Sequence, residues 1–268
     1  MIRGALIFAF NNEHTDYVRM AAWSADRIHR HLDIPVAVVT NAPERARSHT
    51  SFDHIIDAVP ETGGTRWFED YAATVSWHNA GRTDAYALSP WDQTLVLDAD
   101  YVVCSDALHS LWSVDTDFLC HRLAFNAATG SLLTGLNTFG QWDMPMWWAT
   151  VMMFRRSNHS QFIFESMQMI KSNWQHYRNL YGISKPTYRN DFALSIALGI
   201  VSGQTWQVQE IPWNLTSVLP EVELKQLDKD YFVLEYADSV GKKKTAGING
   251  IDFHAMGKRH LEKIIEAA

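Results

Sequence analysis

The sequence predicts a mixed α/β fold with a mainly parallel sheet flanked by helices, and three observations carry that reading. Short runs of β-branched and aliphatic residues alternate with amphipathic stretches through the first half of the chain. The run TLVLDADYVV, residues 94 to 103, is a buried-type strand that ends abruptly on two carboxylates, Asp98 and Asp100. Composition is that of an ordinary globular protein, 47% hydrophobic and 20% charged over 268 residues, which allows a substantial core and argues against extensive disorder.

Taken in order, Ala5 to Phe10 reads as a strand. A helix from about Thr15 to His31 follows, because Val18, Ala22, Ala25, Ile28 and Leu32 recur every three or four residues. Pro35 to Thr40 reads as a second strand, which completes a βαβ unit. Ile55 to Val59 adds a third, and a helix through residues 68 to 87 leads to the strand that ends at Asp98. In the second half, Asp117 to His121 and Thr150 to Phe154 read as strands around a loop rich in glycine, asparagine and tryptophan. Residues 161 to 180 read as one amphipathic helix, with Ile163, Met167, Ile170, Trp174 and Tyr177 on its apolar face. Asn190 is placed to cap a further helix through Phe192, Leu194, Ile196 and Leu198, with Asp191 in its first turn, and the tail from Tyr231 reads as short strands ending at Phe253.

Carboxylates two apart on an extended segment emerge on one face, a geometry suited to a divalent cation or a ligand, with a capping or turn role as the alternative. The same spacing recurs at Asp115/Asp117 and Asp228/Asp230, where it reads as solvated loop. Only Asp98 and Asp100 follow a run of buried-type residues, and the carboxyl end of such a strand is where open α/β sheets bind ligands.

The formal charge of −7 argues against a broadly cationic surface for nucleic acid or anionic lipid. Cys104 and Cys120 are the only cysteines and supply neither a disulfide framework nor a metal cluster, so a reducing compartment is the simpler expectation. The apolar opening MIRGALIFAF meets Asn11, Asn12 and Glu13 too soon to be a signal peptide or membrane span, and the chain is expected to be soluble and cytoplasmic, leaving the sequons at Asn158 and Asn214 unused.

The run AGRTDAYALSPWDQTLVLDADYVV, residues 80 to 103, resembles the donor-binding core of GT-A fold glycosyltransferases, in particular the family 8 group that includes glycogenin. In that group an arginine or lysine precedes a helix, a proline precedes the strand and the strand ends in Asp-x-Asp; Arg82, Pro90, Asp98 and Asp100 correspond, with Ala99 between the acids. The opening GALIFAFNNEHTDYV is similar to the first strand and loop of the group, where Ala9, Phe10 and Asn11 match the nucleoside-holding positions and Asn41 falls at a further nucleoside contact. FHAMGKRH resembles the His-x-x-Gly-x-x-Lys element through His254 and Gly257; His260 stands where the lysine is expected, which makes Lys258 the substitute phosphate-gripping cation. WATVMMF resembles a strand of the group but carries Trp148, Ala149 and Thr150 where asparagine and glycine are expected, and RNDFALSIAL resembles the helix start at which Asn190 and Asp191 face the donor sugar.

The resemblance implies a single GT-A, Rossmann-like domain over residues 1–268, with a nucleotide-sugar binding half to about residue 104. The remainder would be an acceptor half with a C-terminal metal and phosphate element. It implies a hexosyl- or pentosyltransferase using a UDP-sugar and Mn²⁺ or Mg²⁺ held by Asp98, Asp100 and His254, with Arg82 and Lys258 adding fixed positive charge and Asp191 orienting the sugar. The acceptor is a hydroxyl of a saccharide, a small molecule or, least in keeping with the acidic chain, a modified nucleic-acid base. Trp142, Trp147 and Trp148 cluster in the segment expected to meet it, each being equally at home in a core. For other residues too a plainer role stands beside the functional one: Asp191 as an acid favoured by a helix dipole, His254 as a hydrogen-bonded histidine, Arg82 as the partner of Asp84 or another surface acid. Two other functions compete. A nucleotidyltransferase usually opens with a glycine-rich basic loop that FAFNNEHTDY lacks, and a non-catalytic nucleotide-sugar binding module would keep the fold without turnover.

Overall fold

A computed structural model of the chain describes residues 2–59, 64–68, 72–76 and 78–267. Its central sheet has six strands, in the order His54–Asp57, Val36–Thr40, Arg3–Ala9, Gln93–Asp98, Trp148–Arg155 and Phe118–His121. The first four run parallel, and Trp148–Arg155 runs antiparallel to both of its neighbours. The sheet is therefore mixed and mainly parallel, as its apolar runs predict.

Strand alternation divides the core in two. Leu6, Phe8, Val96, Met152 and Phe154 face a cluster with Ile163, Phe164, Met167 and Leu194 from the helices Asn158–Ser172 and Asn190–Val201. Ala5, Ile7, Leu95, Leu97 and Met153 face the opposite cluster, which includes Val18, Ala25 and Ile28 of the helix Tyr17–Leu32. That helix starts where the Asp16 carboxylate accepts the Arg19 amide and ends at Asp33 in the left-handed region, φ 48°. Gly4 sits on the first strand because any Cβ there would stand 2.4 Å from the Trp91 indole.

Four elements differ from expectation. The helix sought over residues 68 to 87 is instead an antiparallel pairing of Thr65–Phe68 with Ala73–Ser76, then a 3₁₀ turn over Asn79–Asp84 and a single helical turn over Ala85–Leu88; residues 69–71 and 77 of that span lie outside the described residues. Thr65, Trp67, Thr74 and Val75 favour a pleated pairing over a helix. The helix sought over 161 to 180 breaks at Asn173, φ −117°, into Asn158–Ser172 and Trp174–Leu180. Asn190 is the first residue of its helix, not the cap, a place taken by Arg189 in extended conformation. The tail forms the expected strands, Tyr231–Ala237, Lys243–Asn249 and Phe253–Ala255, the first two with Glu223–Leu227 in a three-stranded antiparallel sheet, but closes with an unexpected helix over Lys258–Ala267.

Two topological facts place the site. The chain passes from Arg3–Ala9 outward to His54–Asp57, then returns to lay Gln93–Asp98 on the other side of the first strand, so the strand order switches direction between Phe10 and Asp98. A second sheet, ordered Tyr101–Val102, Phe253–Ala255, Leu215–Val218 and Ala124–Asn126, begins three residues beyond Asp98.

Candidate functional site

Asp98 is the last residue of its strand, and Asp100 lies in the turn that carries the chain into the second sheet. The two acids therefore meet through a turn at the seam between sheets, not along one continuous extended segment. In the second sheet His254 pairs with Tyr101, and the Ala255 amide donates to the Asp100 carbonyl at 2.9 Å, which brings a residue from the far end of the chain against the turn. One potential ligand atom each from Asp98, Asp100 and His254 lies within 4.8 Å of the others.

These residues form part of the wall of a cavity of about 330 Å³, together with Phe8, Phe10, Arg82, Trp148, Asp191 and Lys258. Three of its cations meet acids. Arg82 meets Asp98, Lys258 meets Asp100, and Arg189 meets Asp191 at 2.6 Å. Such pairing is what lets charged groups sit away from water. Burial on its own would raise the Asp100 carboxyl, but Lys258 and His254 outweigh it and hold the group below its ordinary range. The His254 Nε2 lies 3.5 Å from Asp100, and its Nδ1 is buried without a partner. Burial lowers Arg82 to about 10 against the pull of Asp191, Asp100 and Tyr188, so it remains cationic at neutral pH.

A break in the sheet brings Trp148 and Thr150 into the lining. Trp148 pairs with His121 and Met152 with Cys120, so the intervening residues bulge out of register on that side. Ala149 spends its backbone groups on side chains instead: its amide donates to Asp191 Oδ1 at 3.0 Å and its carbonyl accepts from Arg82 Nη1 at 2.8 Å. Burial pushes the Asp191 carboxyl up, and Arg189, the Ala149 amide and Arg82 together bring it below its ordinary value. Asp191 is thus more than a dipole-favoured helix acid; it and Arg82 are fastened to the same residue.

Of the residues singled out in sequence, Phe10, Arg82, Asp98, Ala99, Asp100, Trp148, Asn190, Asp191, His254 and Lys258 line the cavity. Arg82 pairs with Asp98, and Asp84 accepts from Gln168 instead. Others stand behind the wall. Ala9 is fully buried in the core. Asn11 and Asn41 hold each other, the Asn11 amide donating to Asn41 Oδ1 at 2.9 Å and Asn41 Nδ2 to the Asn11 carbonyl at 3.2 Å, so they shape the loop that presents Phe10. Gly257 is buried, and a Cβ there would approach Pro220 Cα at 3.2 Å, which makes it a close-packing position. The tryptophan grouping is corrected: Trp148 lines the cavity, Trp147 is buried beneath the Arg122 guanidinium, and Trp142 is 64% exposed, with neither of the last two in the wall.

Sequence reasoning missed Arg189, His78 and Trp67, which also line the cavity. Arg189 adjoins Asn190 in sequence and was the most accessible of the three. Trp67 precedes the span expected as helix and belongs to a hairpin whose pairing sets its direction, which no local pattern announces.

No protein-family model matches the sequence, and no curated protein matches it. Among solved structures the chain is similar to the glycosyltransferase GlyE of Streptococcus pneumoniae TIGR4, with 12% identity over 79% of this chain and 46% of that one and a TM-score of 0.43. It is similar also to the galactosyltransferase LgtC in complex with donor and acceptor sugar analogs, with 18% identity over 73% and 70% of the two chains and a TM-score of 0.47. Mouse xyloside xylosyltransferase 1 aligns with 13% identity over 81% and 88% and a TM-score of 0.48. The chain spans under half the length of the GlyE chain it matches.

Proposed function

We propose that the chain is a GT-A type glycosyltransferase domain that moves a sugar from a nucleotide-diphosphate donor, a UDP-sugar by preference, to a hydroxyl acceptor with the help of a divalent cation. The observation that carries the reading is the meeting of Asp98, Asp100 and His254 in the wall of a cavity that also holds Arg82, Arg189 and Lys258. The residues fit a metal: two carboxylates and an imidazole form a hard-to-borderline donor set suited to Mn²⁺ and acceptable to Mg²⁺. His254 turns its Nε2 toward Asp100, at 3.5 Å, which is the nitrogen it would offer to the cation.

When bound, the cation supplies Lewis-acid neutralisation of the diphosphate oxygens. The chain's own residues do the rest. Lys258 and Arg82 place fixed positive charge beside the acids, where negative charge develops on the departing diphosphate. Each of their ion pairs engages one carboxylate oxygen, Oδ1 of Asp98 and Oδ2 of Asp100, and each carboxylate has a second oxygen to offer. Asp191 stands as an ionised carboxylate fixed by the Ala149 amide and Arg189, placed to orient the donor sugar and to stabilise positive charge at its ring.

The same ion pairs give the binding-module reading its one specific support, because they already neutralise both acids without a metal. A screen of nucleotide-sugars with Mn²⁺ or Mg²⁺, scored by nucleoside diphosphate release with and without acceptor pools, separates the two. The transferase reading expects metal-dependent release from at least one donor; binding without release from any donor would favour the module.

A further inference from the structure

The cavity lining falls into two chemical groups. Arg82, Asp98, Asp100, Asp191, His254 and Lys258 bring charge, whereas Asn12, Trp67 and Ser76 are neutral. Exposure sets Trp67 apart again: the lining rings of Phe8, Phe10 and Trp148 are buried, but Trp67 is 58% exposed. Its indole therefore stands where the cavity opens to solvent, within reach of a ligand.

Strand register puts it there. In the pairing of Thr65–Phe68 with Ala73–Ser76, Thr65 lies opposite Ser76 and Trp67 opposite Thr74, so their side chains share one face of the hairpin. Val75 points to the other face and is buried, which seats the hairpin on the protein and leaves the Trp67 face outward. Ser76 fastens that face to the loop after the first strand: its Oγ donates to Glu13 Oε1 at 2.6 Å, and its carbonyl accepts from Asn12 Nδ2 at 3.4 Å.

The chemistry of this face selects the ligand. A flat apolar ring beside a short hydroxyl matches a pyranose, which lays a face of C–H groups on the indole and keeps its hydroxyls at the edge. Ser76 Oγ gives its proton to Glu13 and keeps lone pairs that can accept from a sugar hydroxyl. A nucleobase also stacks on indole, but the donor has to carry its diphosphate to the acid corner, and the switch point that receives it lies between Phe10 and Asp98. The second substrate arrives from solvent, which is where the exposed ring stands.

We infer that Trp67 is the stacking platform of an acceptor subsite for a pyranose saccharide, with Ser76 at its edge. This rests on the glycosyl-transfer reading and puts the acceptor on the hairpin, away from residues 142–148. Saturation-transfer NMR on the full chain with UDP and Mg²⁺ tests it, the probes being methyl β-galactopyranoside, methyl β-glucopyranoside, methyl α-mannopyranoside and methyl β-xylopyranoside. Wild type should saturate the carbon-bound ring protons of at least one glycoside. That signal should fall about three- to tenfold in Trp67→Ala and be largely kept in Trp67→Phe, with UDP affinity within about twofold of wild type in both. Trp142→Ala, which removes an exposed indole outside the wall, should keep the signal. Should Trp67→Ala loosen the hairpin, Trp67→Thr carries the test with a residue that favours strands. An undiminished signal in a folded Trp67→Ala or Trp67→Thr overturns the assignment, and so does a loss of UDP affinity with the glycoside signal kept, which would give the ring to the nucleobase. Wild type that binds UDP but saturates no glycoside removes the subsite and leaves glycosyl transfer standing. Wild type that binds neither UDP nor any UDP-sugar overturns both.

Discussion

The acid corner and the tryptophan segment are built in opposite ways. Asp98, Asp100 and His254 come from distant parts of the sequence and arrive at one point because two sheets meet there. Trp142, Trp147 and Trp148 are near neighbours in sequence and end in three environments: solvent, core and cavity wall. Adjacency along the chain therefore says little about a shared surface, whereas a strand end at a topological switch says much. Side chains in succession on extended backbone point to opposite faces, which is enough to part Trp147 from Trp148.

That contrast is broken most forcefully at Trp147. Trp147→Ala should lower unfolding free energy by about 3–5 kcal/mol in urea titrations, the usual cost of emptying a buried indole site; a loss below about 1 kcal/mol would place the ring outside the core. Next comes His121, the residue paired with Trp148. Burial depresses its pKa to about 4, with Nδ1 donating to the Trp213 carbonyl at 2.9 Å. Since the unfolded chain takes up the proton first, this histidine costs no stability above about pH 6.5 and removes stability as pH falls from there toward 4, by up to roughly 3 kcal/mol. His121→Gln should flatten that part of the stability profile, and an unchanged slope would contradict the assignment.

At the acid corner the effect moves from stability to turnover. Asp100→Asn should cut nucleoside diphosphate release by about 10- to 100-fold with secondary structure intact by circular dichroism, the scale of a perturbed metal shell; full release by the pure variant would remove Asp100 from the chemistry. Smallest is Trp142→Ala, which should alter stability by no more than about 0.5 kcal/mol and leave release unchanged, as an exposed side chain outside the wall requires. A large loss of release there would restore it to a working surface.

The parallel half of the fold was legible because its signals are local: an apolar run, a periodic helix and a second run within one βαβ unit. The acid pair stood out for the same reason, being the end of the run Gln93–Asp98. The turn between Asp98 and Asp100 was not legible, since a change of sheet leaves no pattern in four residues. Nor was the bulge at Ala149, which depends on register with a strand thirty residues away in sequence and which fastens Arg82 and Asp191 together. Trp67 was missed because the hairpin reading needs pairing information, and the hydrogen bonds by which Asn41 holds the Asn11 backbone likewise leave no local pattern. Local patterns announce strands and their ends; what those ends meet is decided by non-local pairing.

The central claim is tested most directly by anomalous diffraction from crystals grown with Mn²⁺ and UDP. The account predicts a manganese peak within bonding distance of Asp98, Asp100 and His254, with the diphosphate against Lys258. A nucleotide bound with no peak there, and with Asp98 and Asp100 still closed on Arg82 and Lys258, would contradict it.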